Sequence, residues 1–572
     1  MKKLVSTMFY DSLTAIIFAA IAGTIGMVVD GILIGYCLGE GSMAAFGIAS
    51  PVFLVLYALG GVLSSGMQAK CAEMIGTGDM KKSNDFFSLS ITLSTLLSVV
   101  LMAIFMFFSV PISQFLGASG KTAYLLNDTK MYILGLSFGI PVIIISQCMQ
   151  NSMQLDGDKT RIFIATLVTT ISDIIADLIN VYVIHGGMFG MAVATTISYY
   201  LGFVVYMLHF RKDNIIFHYS LKKTNWRLSQ ELISTGLPTA IGRFSTTLRI
   251  FILNNLLLAI SGAAAVTALS TQTNINNFFS SVSVGISMTV LMISGIFYGE
   301  ENHSEMKALL ATSIKACVTI VSALGIIIFA TAPFLAKMYI QEDSESFLIC
   351  VSSIRYLAIS MPLHAMCNVF INYLQGSKNL KLSHITCLFN ELVMVVICAI
   401  VFGNLFGAVG VWLAFPLGKL LTLVSVVVMA CIHQRKMVKG LDDMLFLPKD
   451  FDKESIYGNT LSIDISENFA YPIETLYAFC KKTGMNSTQI ENIQYIFETI
   501  ISHLSSSGTK AGTVASVRLI KKKDAFVIRY RDNIRKAAAP TEWKEFSKLS
   551  DITKTFQHNN VMGTNSLYIE LK

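Results

Sequence analysis

The sequence predicts an all-α polytopic membrane protein, with twelve transmembrane helices in two six-helix bundles and a small cytoplasmic α+β domain behind them. Three observations carry this expectation. Of 572 residues, 53% are hydrophobic and 14% charged, whereas soluble domains carry about 25% charged residues. Apolar runs of about 18 residues or more, long enough for a helix to cross roughly 30 Å of hydrocarbon, recur over the first 430 or so positions. The chain also repeats itself at half that length.

The twelve runs are 13–37, 45–70, 86–110, 131–150, 162–184, 188–209, 231–259, 264–293, 308–330, 352–374, 382–402 and 407–432. Lys2 and Lys3 ahead of the first run resemble the start of a signal peptide. The run is too long for a signal h-region and has no clear small-residue cleavage site, so it reads as the first span. Lys and Arg gather in alternate loops: Lys81 and Lys82; Lys159 and Arg161; Arg211, Lys212, Lys222, Lys223 and Arg227; Lys378 and Lys381; Arg435, Lys436 and Lys439. The opposite loops hold little more than Lys121, Lys130 and Lys337. Positive loops stay inside, so both termini are expected in the cytoplasm of a multi-pass cell-membrane protein. The net charge of +7 is then mostly a topology signal, and no nucleic-acid partner is needed to explain it. The ten cysteines show no CxxC pair, and most sit within spans as small apolar residues.

A shift of 221 positions lays Gly41 on Gly262, Gly78 on Gly299, Pro141 on Pro362, Asn151 on Asn372 and Gln154 on Gln375. A slightly shorter shift lays "FGMAVA" (189–194) over "FGAVGV" (406–411). Six spans per half is an even number, so the halves run parallel, one of the repeat arrangements of secondary transporters. The domains expected are 1–215 and 216–433 for the two bundles, a linker over 434–455 and a cytoplasmic unit over 456–572. Asp30, Asp173 and Asp177 fall on Phe251, Asn390 and Met394 under these shifts. The scaffold therefore does not need the acids. A carboxylate inside a membrane costs roughly 2.5–3.5 kcal/mol on insertion scales, which points to function.

The stretches "VVDGILIGYCLGEGSMAAFGIASPVF", "MQNSMQLDGDKTR" and "ISDIIADLIN…GMFGMAVATTIS" resemble the MATE family, the multidrug and toxic compound extrusion transporters. The resemblance covers about 430 residues. It implies export of cationic or amphipathic small compounds in exchange for protons or sodium ions, and a secondary transporter instead of an enzyme. It places Asp30 in the coupling role of span one and Asp177 in that of span five. Asp173 stands where the family usually has Asn. Flippases for lipid-linked or oligosaccharide compounds share the scaffold, and a membrane receptor signalling through its tail is a further alternative.

Residues four apart share a helix face, so Asp173, Asp177 and Asn180 form one stripe, and Asp30 is expected to meet it. Like charges crowded in a dry site cannot all stay ionised. Such a cluster exchanges a proton, or holds sodium at Asp30/Asp177 with oxygens from Asn151, Gln154 and Asn180. No other metal or cofactor is expected. Gln68, Gln147, Asn151, Gln154, Asn254, Gln272, Asn274, Asn368 and Asn372 are candidates to line the substrate cavity, although buried amides often serve only to join helices. The second half adds Arg243, Arg249, Lys315, Arg355 and Lys419 against a single internal acid, Glu391. Pairing or snorkelling accounts for them; a cavity for an anionic or zwitterionic compound is the sharper reading.

After residue 440 the composition turns polar. "NTLSIDIS" alternates as a strand, "YPIETLYAFCKKTG" and "NSTQIENIQYIFETIISHL" read as helices, "TVASVRLIKKKDAFVIRYRDN" as a hairpin turning near Lys523–Asp524, and "NSLYIELK" as a closing strand. This order resembles the histidine-kinase-type ATPase domain of anti-sigma factors, with Glu498 and Asp532-Asn533 near its N-box and aspartate box. Ser502 replaces the N-box Asn, and 534–558 contains no glycine to form a phosphate cradle. The expectation is a degenerate, regulatory domain that docks a protein partner or senses a ligand.

Overall fold

The computed structural model describes residues 2–571 except 213–214, 221–223, 341–344, 466–472, 507–513, 523–524 and 535–550. Long apolar helices dominate. Helix α1 (Lys2–Leu33) runs over the first apolar stretch and ends in a π-turn before Gly39, whose φ of 91° starts α2 (Glu40–Thr77). Then come α3 (Met80–Phe107), the short α4 (Ser109–Leu116), α5 (Leu126–Ser137), α6 (Ile140–Leu155), α7 (Lys159–Ile179) and α8 (Gly187–His209). The second half opens with α9 (Ser229–Gly299), two spans broken at Gly262, where φ is 73°. It continues through α10 (His303–Ala316), α11 (Ser322–Lys337), α12 (Glu345–Gly376), α13 (Leu380–Leu388), α14 (Met394–Phe406) and α15 (Ala408–Gln434).

Among the described residues, ten helices are long and apolar enough to cross a membrane, and eleven when α5 and α6 count as one span. That pair corresponds to the run expected at 131–150. It is not straight: the two helices meet at 50°. Gly139 and Pro141 sit at the bend, and proline removes a backbone donor where the helix would continue.

The two halves meet along α2 and α9 near the end that carries the basic loops. Glycines set the distance. A Cβ at Gly66 would collide with Leu232 O, one at Gly76 with Ile296 O, and one at Gly299 with Glu73 O. Small residues of this kind let helix backbones approach closely in a membrane, where packing drives association.

The tail begins with a segment that was expected to be an exposed linker. It is exposed only in part: Asp442, Pro448, Lys449 and Asp450 are exposed, while Leu445 and Phe446 are fully buried. Tyr373 donates its hydroxyl to Leu445 O at 3.1 Å, and Asn379 donates to Phe446 O at 2.9 Å. The apolar "MLFLP" within that polar stretch finds its partner on α12 and the start of α13.

After the short α16 (Lys453–Ile456), the soluble unit is a five-stranded antiparallel sheet with two helices. Its elements are β1 (Thr460–Ile465), α17 (Ile473–Lys482), α18 (Ser487–Ser506), β2 (Ala515–Lys521), β3 (Phe526–Asp532), β4 (Thr553–Val561) and β5 (Thr564–Leu571), in sheet order β1-β2-β3-β5-β4. The hairpin turn expected near Lys523–Asp524 lies outside the described residues. Strand period 2 divides the sheet. Val517, Leu519, Ile528, Tyr530, Leu567 and Ile569 face the helices, packing with Ile493, Ile496, Phe497 and Ile500. Arg518, Arg529, Arg531, Ser566 and Tyr568 take the other face, which lies against the membrane helices.

Candidate functional site

Asp30, Asp173 and Asp177 come together. One carboxylate oxygen from each lies within 4.8 Å of the other two, and the residues are 9%, 6% and 0% exposed. Asp173 and Asp177 share a face of α7, as spacing predicted. α1 packs against α7 beside the cluster: a Cβ at Gly26, one turn before Asp30, would sit in ordinary contact with Thr170 and Asp173. Thr170 also donates its hydroxyl to Ala22 O at 3.2 Å, which pins the two helices.

Electrostatically the cluster is unfinished. Asp173 Oδ1 accepts from Ser198 at 3.1 Å. Both oxygens of Asp177 and Oδ1 of Asp30 are buried and accept no hydrogen bond. Buried polar atoms are nearly always paired, and buried charges still more so. Among the described residues no Lys or Arg pairs with any of the three. An arrangement of this kind has the chemistry to take up a small cation.

Asn180 does not join the acids. It lies at the start of a π-turn (Asn180–Ile184), and its amide is spent on the following turn: Oδ1 accepts from Gly186 N at 3.1 Å and Nδ2 donates to Gly187 O at 3.2 Å. Gly190 has no side chain because Asn180 fills that space.

The amide candidates occupy several different environments. Gln68 donates to Gln154 Oε1 at 2.9 Å, and both are buried; they join α2 to α6. Gln147 bonds back to Ile143 O, and Asn372 to Asn368 O, each within its own helix. Asn151 is half-buried and Asn274 exposed. Gln272 is 2% exposed with neither amide atom partnered, and Asn254 Oδ1 is likewise buried and unpartnered. These last two have hydrogen-bonding capacity to spare.

Asn368 belongs to a charged network inside the second half. Glu391 sits on a π-turn (Phe389–Val393) between α13 and α14. It accepts from Arg249 at 2.9 Å, Thr246 at 3.0 Å and Asn390 at 2.6 Å. Asn390 also donates to Asn368 Oδ1 at 3.2 Å, while Lys419 donates to Asn390 O at 2.6 Å. Two cations thus surround one carboxylate. Arg355 instead lies over the Phe329 ring, 5.4 Å from its centroid.

A second set of charges was not foreseen from sequence. Lys70 reaches Glu73 at 3.2 Å and Glu231 at 2.6 Å, and Lys378 reaches Glu73 at 2.6 Å. The set ties α2 of the first half to α9 and the end of α12 in the second, where the halves close. Its signal was "QAKCAEM", with opposite charges three apart at the inner end of an apolar run.

In the tail, Asp532 is fully buried and committed. Tyr530 donates to it at 2.6 Å, Ile534 N at 2.7 Å and Asn565 at 2.8 Å. Burial outweighs these bonds and pushes its carboxyl above the usual range. Asn533 Oδ1 accepts from Val514 N at 2.9 Å. Both residues fasten the end of β3 to its own neighbours.

The chain is similar over most of its length to known exporters. A multidrug export protein, MepA of Staphylococcus haemolyticus, is 22% identical over 395 residues, 68% of this chain and 86% of the relative. A probable multidrug resistance protein, NorM of Thermotoga maritima, is 23% identical over 59% of this chain and 73% of the relative. Among solved structures, a MATE protein in complex with MaL6 superposes with a TM-score of 0.68 at 23% identity, over 74% of this chain and 94% of its own. A MOP superfamily transporter from Pyrococcus furiosus gives 0.69 at 22%, with the same coverage. The MatE family model matches twice, over residues 15–179 and 238–401, an offset close to the repeat seen in the sequence. With two copies of that model placed over both helical halves, this chain, a multi-pass membrane protein and a secondary transporter, belongs to the MatE family.

Proposed function

We propose that the protein is a cation-coupled antiporter that exports small amphipathic compounds across the cell membrane by alternating access, with twelve crossings and both termini in the cytoplasm. One observation carries the coupling: three buried carboxylates converge with three oxygens unpartnered, and among the described residues no Lys or Arg pairs with them. The neutral oxygens of Gln154 and Asn180 are engaged elsewhere. Among the described residues no hydrogen bond joins Asn151 to the acids, while Ser198 bonds Asp173; a donor set dominated by carboxylates favours a proton over sodium as the coupling ion. The test is transport in reconstituted vesicles. An imposed proton gradient should drive efflux of an amphipathic dye, while an equal sodium gradient should not. Dye movement indifferent to both gradients would sink the coupling and leave a flippase or a receptor.

Arg243 bears on cargo preference. Thr239 bonds Ser65 across the two halves at 2.8 Å. Arg243, one turn further along the same face of α9, is exposed and has no carboxylate partner among the described residues. An unpaired guanidinium there favours cargo that carries an acidic group. A charge-assisted hydrogen bond contributes about 1.5–3 kcal/mol, and about 1.4 kcal/mol is tenfold. Arg243→Gln should therefore weaken binding of an anionic dye such as anilinonaphthalene sulfonate at least about tenfold, and binding of ethidium far less. Equal losses for both dyes would remove the preference.

A further inference from the structure

The sheet of the C-terminal domain touches both halves of the transporter at once. Toward the first half, Arg529 Nη1 donates to Gly76 O at 2.6 Å, at the end of α2. Met562 N donates to Leu155 O at 2.9 Å, at the end of α6. The Tyr568 ring lies over Gly78, and Gly157 meets the backbone of Gly563. Toward the second half, Arg531 Nη2 donates to Glu300 Oε1 at 2.6 Å, and its guanidinium stacks on Phe297 with 5.5 Å to the ring centroid. Arg518 reaches the carbonyls of Glu300 and Glu301 at 3.4 Å and pairs with Asp452 at 2.6 Å. Arg518 and Arg531 are 7% and 6% exposed.

These contacts fall where the halves close. Gly76 and Gly299 pack backbone to backbone, and Lys70, Glu73, Glu231 and Lys378 bridge the same seam one to two turns away. A chamber that opens toward the cytoplasm must part α2 from α9 there. A rigid sheet bonded to Gly76 and to Glu300 resists that parting. The platform on the first-half side is firm: His209 holds Asp156 at 2.7 Å and Asp158 at 2.8 Å around the α6–α7 turn. Burial raises the Asp158 carboxyl, but His209 and Lys212 outweigh it and hold it well below its usual range.

The interface is also separable. The Nε atoms of Arg529 and Arg531 and Oε2 of Glu305 are buried without hydrogen-bond partners, so undocking recovers their hydration. Leu445 and Phe446 keep the linker anchored when the sheet lifts.

We propose that the C-terminal domain is a releasable lock on the cytoplasmic gate, its arginine face bridging the two halves and holding the chamber closed on that side. This rests on the alternating-access reading above, and the test separates the two. Full-length protein carries spin labels at Lys81→Cys in the first half and Ser304→Cys in the second, both exposed. Breaking one buried charged contact shifts a closed–open equilibrium by roughly thirtyfold or more. Arg531→Glu should therefore add a longer label distance and raise dye flux. Arg529→Met, which loses the Gly76 contact and a 3.5 Å ion pair with Glu300 without reversing a charge, should do the same. Glu300→Arg combined with Arg531→Glu should restore much of the short distance. Unchanged distances in both single variants would overturn the lock. A longer distance without any dye flux would uphold the lock and count against transport.

Discussion

Replacing Asp177 by Asn should abolish gradient-driven transport while leaving the protein at least as stable as before. Asp177 has no exposed surface, and neither of its oxygens accepts a hydrogen bond from outside the three acids. A cation about 4 Å away gains on the order of 4 kcal/mol from one carboxylate at an effective dielectric of about 20. Since about 1.4 kcal/mol is tenfold, the variant should lose cation affinity by roughly two to three orders of magnitude. Asn removes a charge from a site where like charges already repel, so folding should not suffer. Thermal unfolding in detergent separates the possibilities: a structural acid would take stability with it, whereas a coupling acid takes only the gradient dependence. Flux that still follows the proton gradient in this variant would refute the assignment.

The cluster was legible because charge is expensive in lipid. Three acids within apolar runs, absent from the matching positions of the second half, could be picked out by position alone. Their meeting also depends on how α1 packs on α7, where Thr170 donates to Ala22 O, a contact that position in the sequence does not reveal. Asn180 was placed on the stripe by helical period, but a π-turn begins at that residue and its amide turns toward Gly186 and Gly187. Period arguments assume a regular helix and fail where the winding changes. Strand β4 escaped notice because "TKTFQHNNV" shows little apolar alternation; it is an edge strand, held by backbone pairing to β5. The buried "LFL" of the linker was read as exposed because the surrounding residues are polar. Gln68 and Gln154, named as cavity candidates, bond each other, and that bond depends on how α2 and α6 cross.

The same chemical change in the second half should have the opposite outcome, and this contrast tests the division of labour between the halves. Among the described residues Glu391 is the one carboxylate that pairs with Arg249, with Thr246 and Asn390 completing its bonds and Lys419 bonded to the adjoining Asn390 O. Glu391→Gln keeps the shape and removes the charge. Two buried cations then lose their counterion, and breaking a buried ion pair from one side costs about 3–5 kcal/mol. The variant should unfold at distinctly lower temperature than wild type, in contrast to Asp177→Asn. Replacing all three groups with apolar residues of similar volume should recover much of the loss, because well-packed apolar substitutes for a buried ion network are often neutral or stabilising. If Glu391→Gln instead keeps its stability and loses gradient dependence, the coupling site extends into the second half. If both acid-to-amide variants lower stability equally, the unpartnered oxygens of the first half are structural after all. The sign of the two stability changes thus decides which acids hold the fold together and which are left free to bind a passing cation.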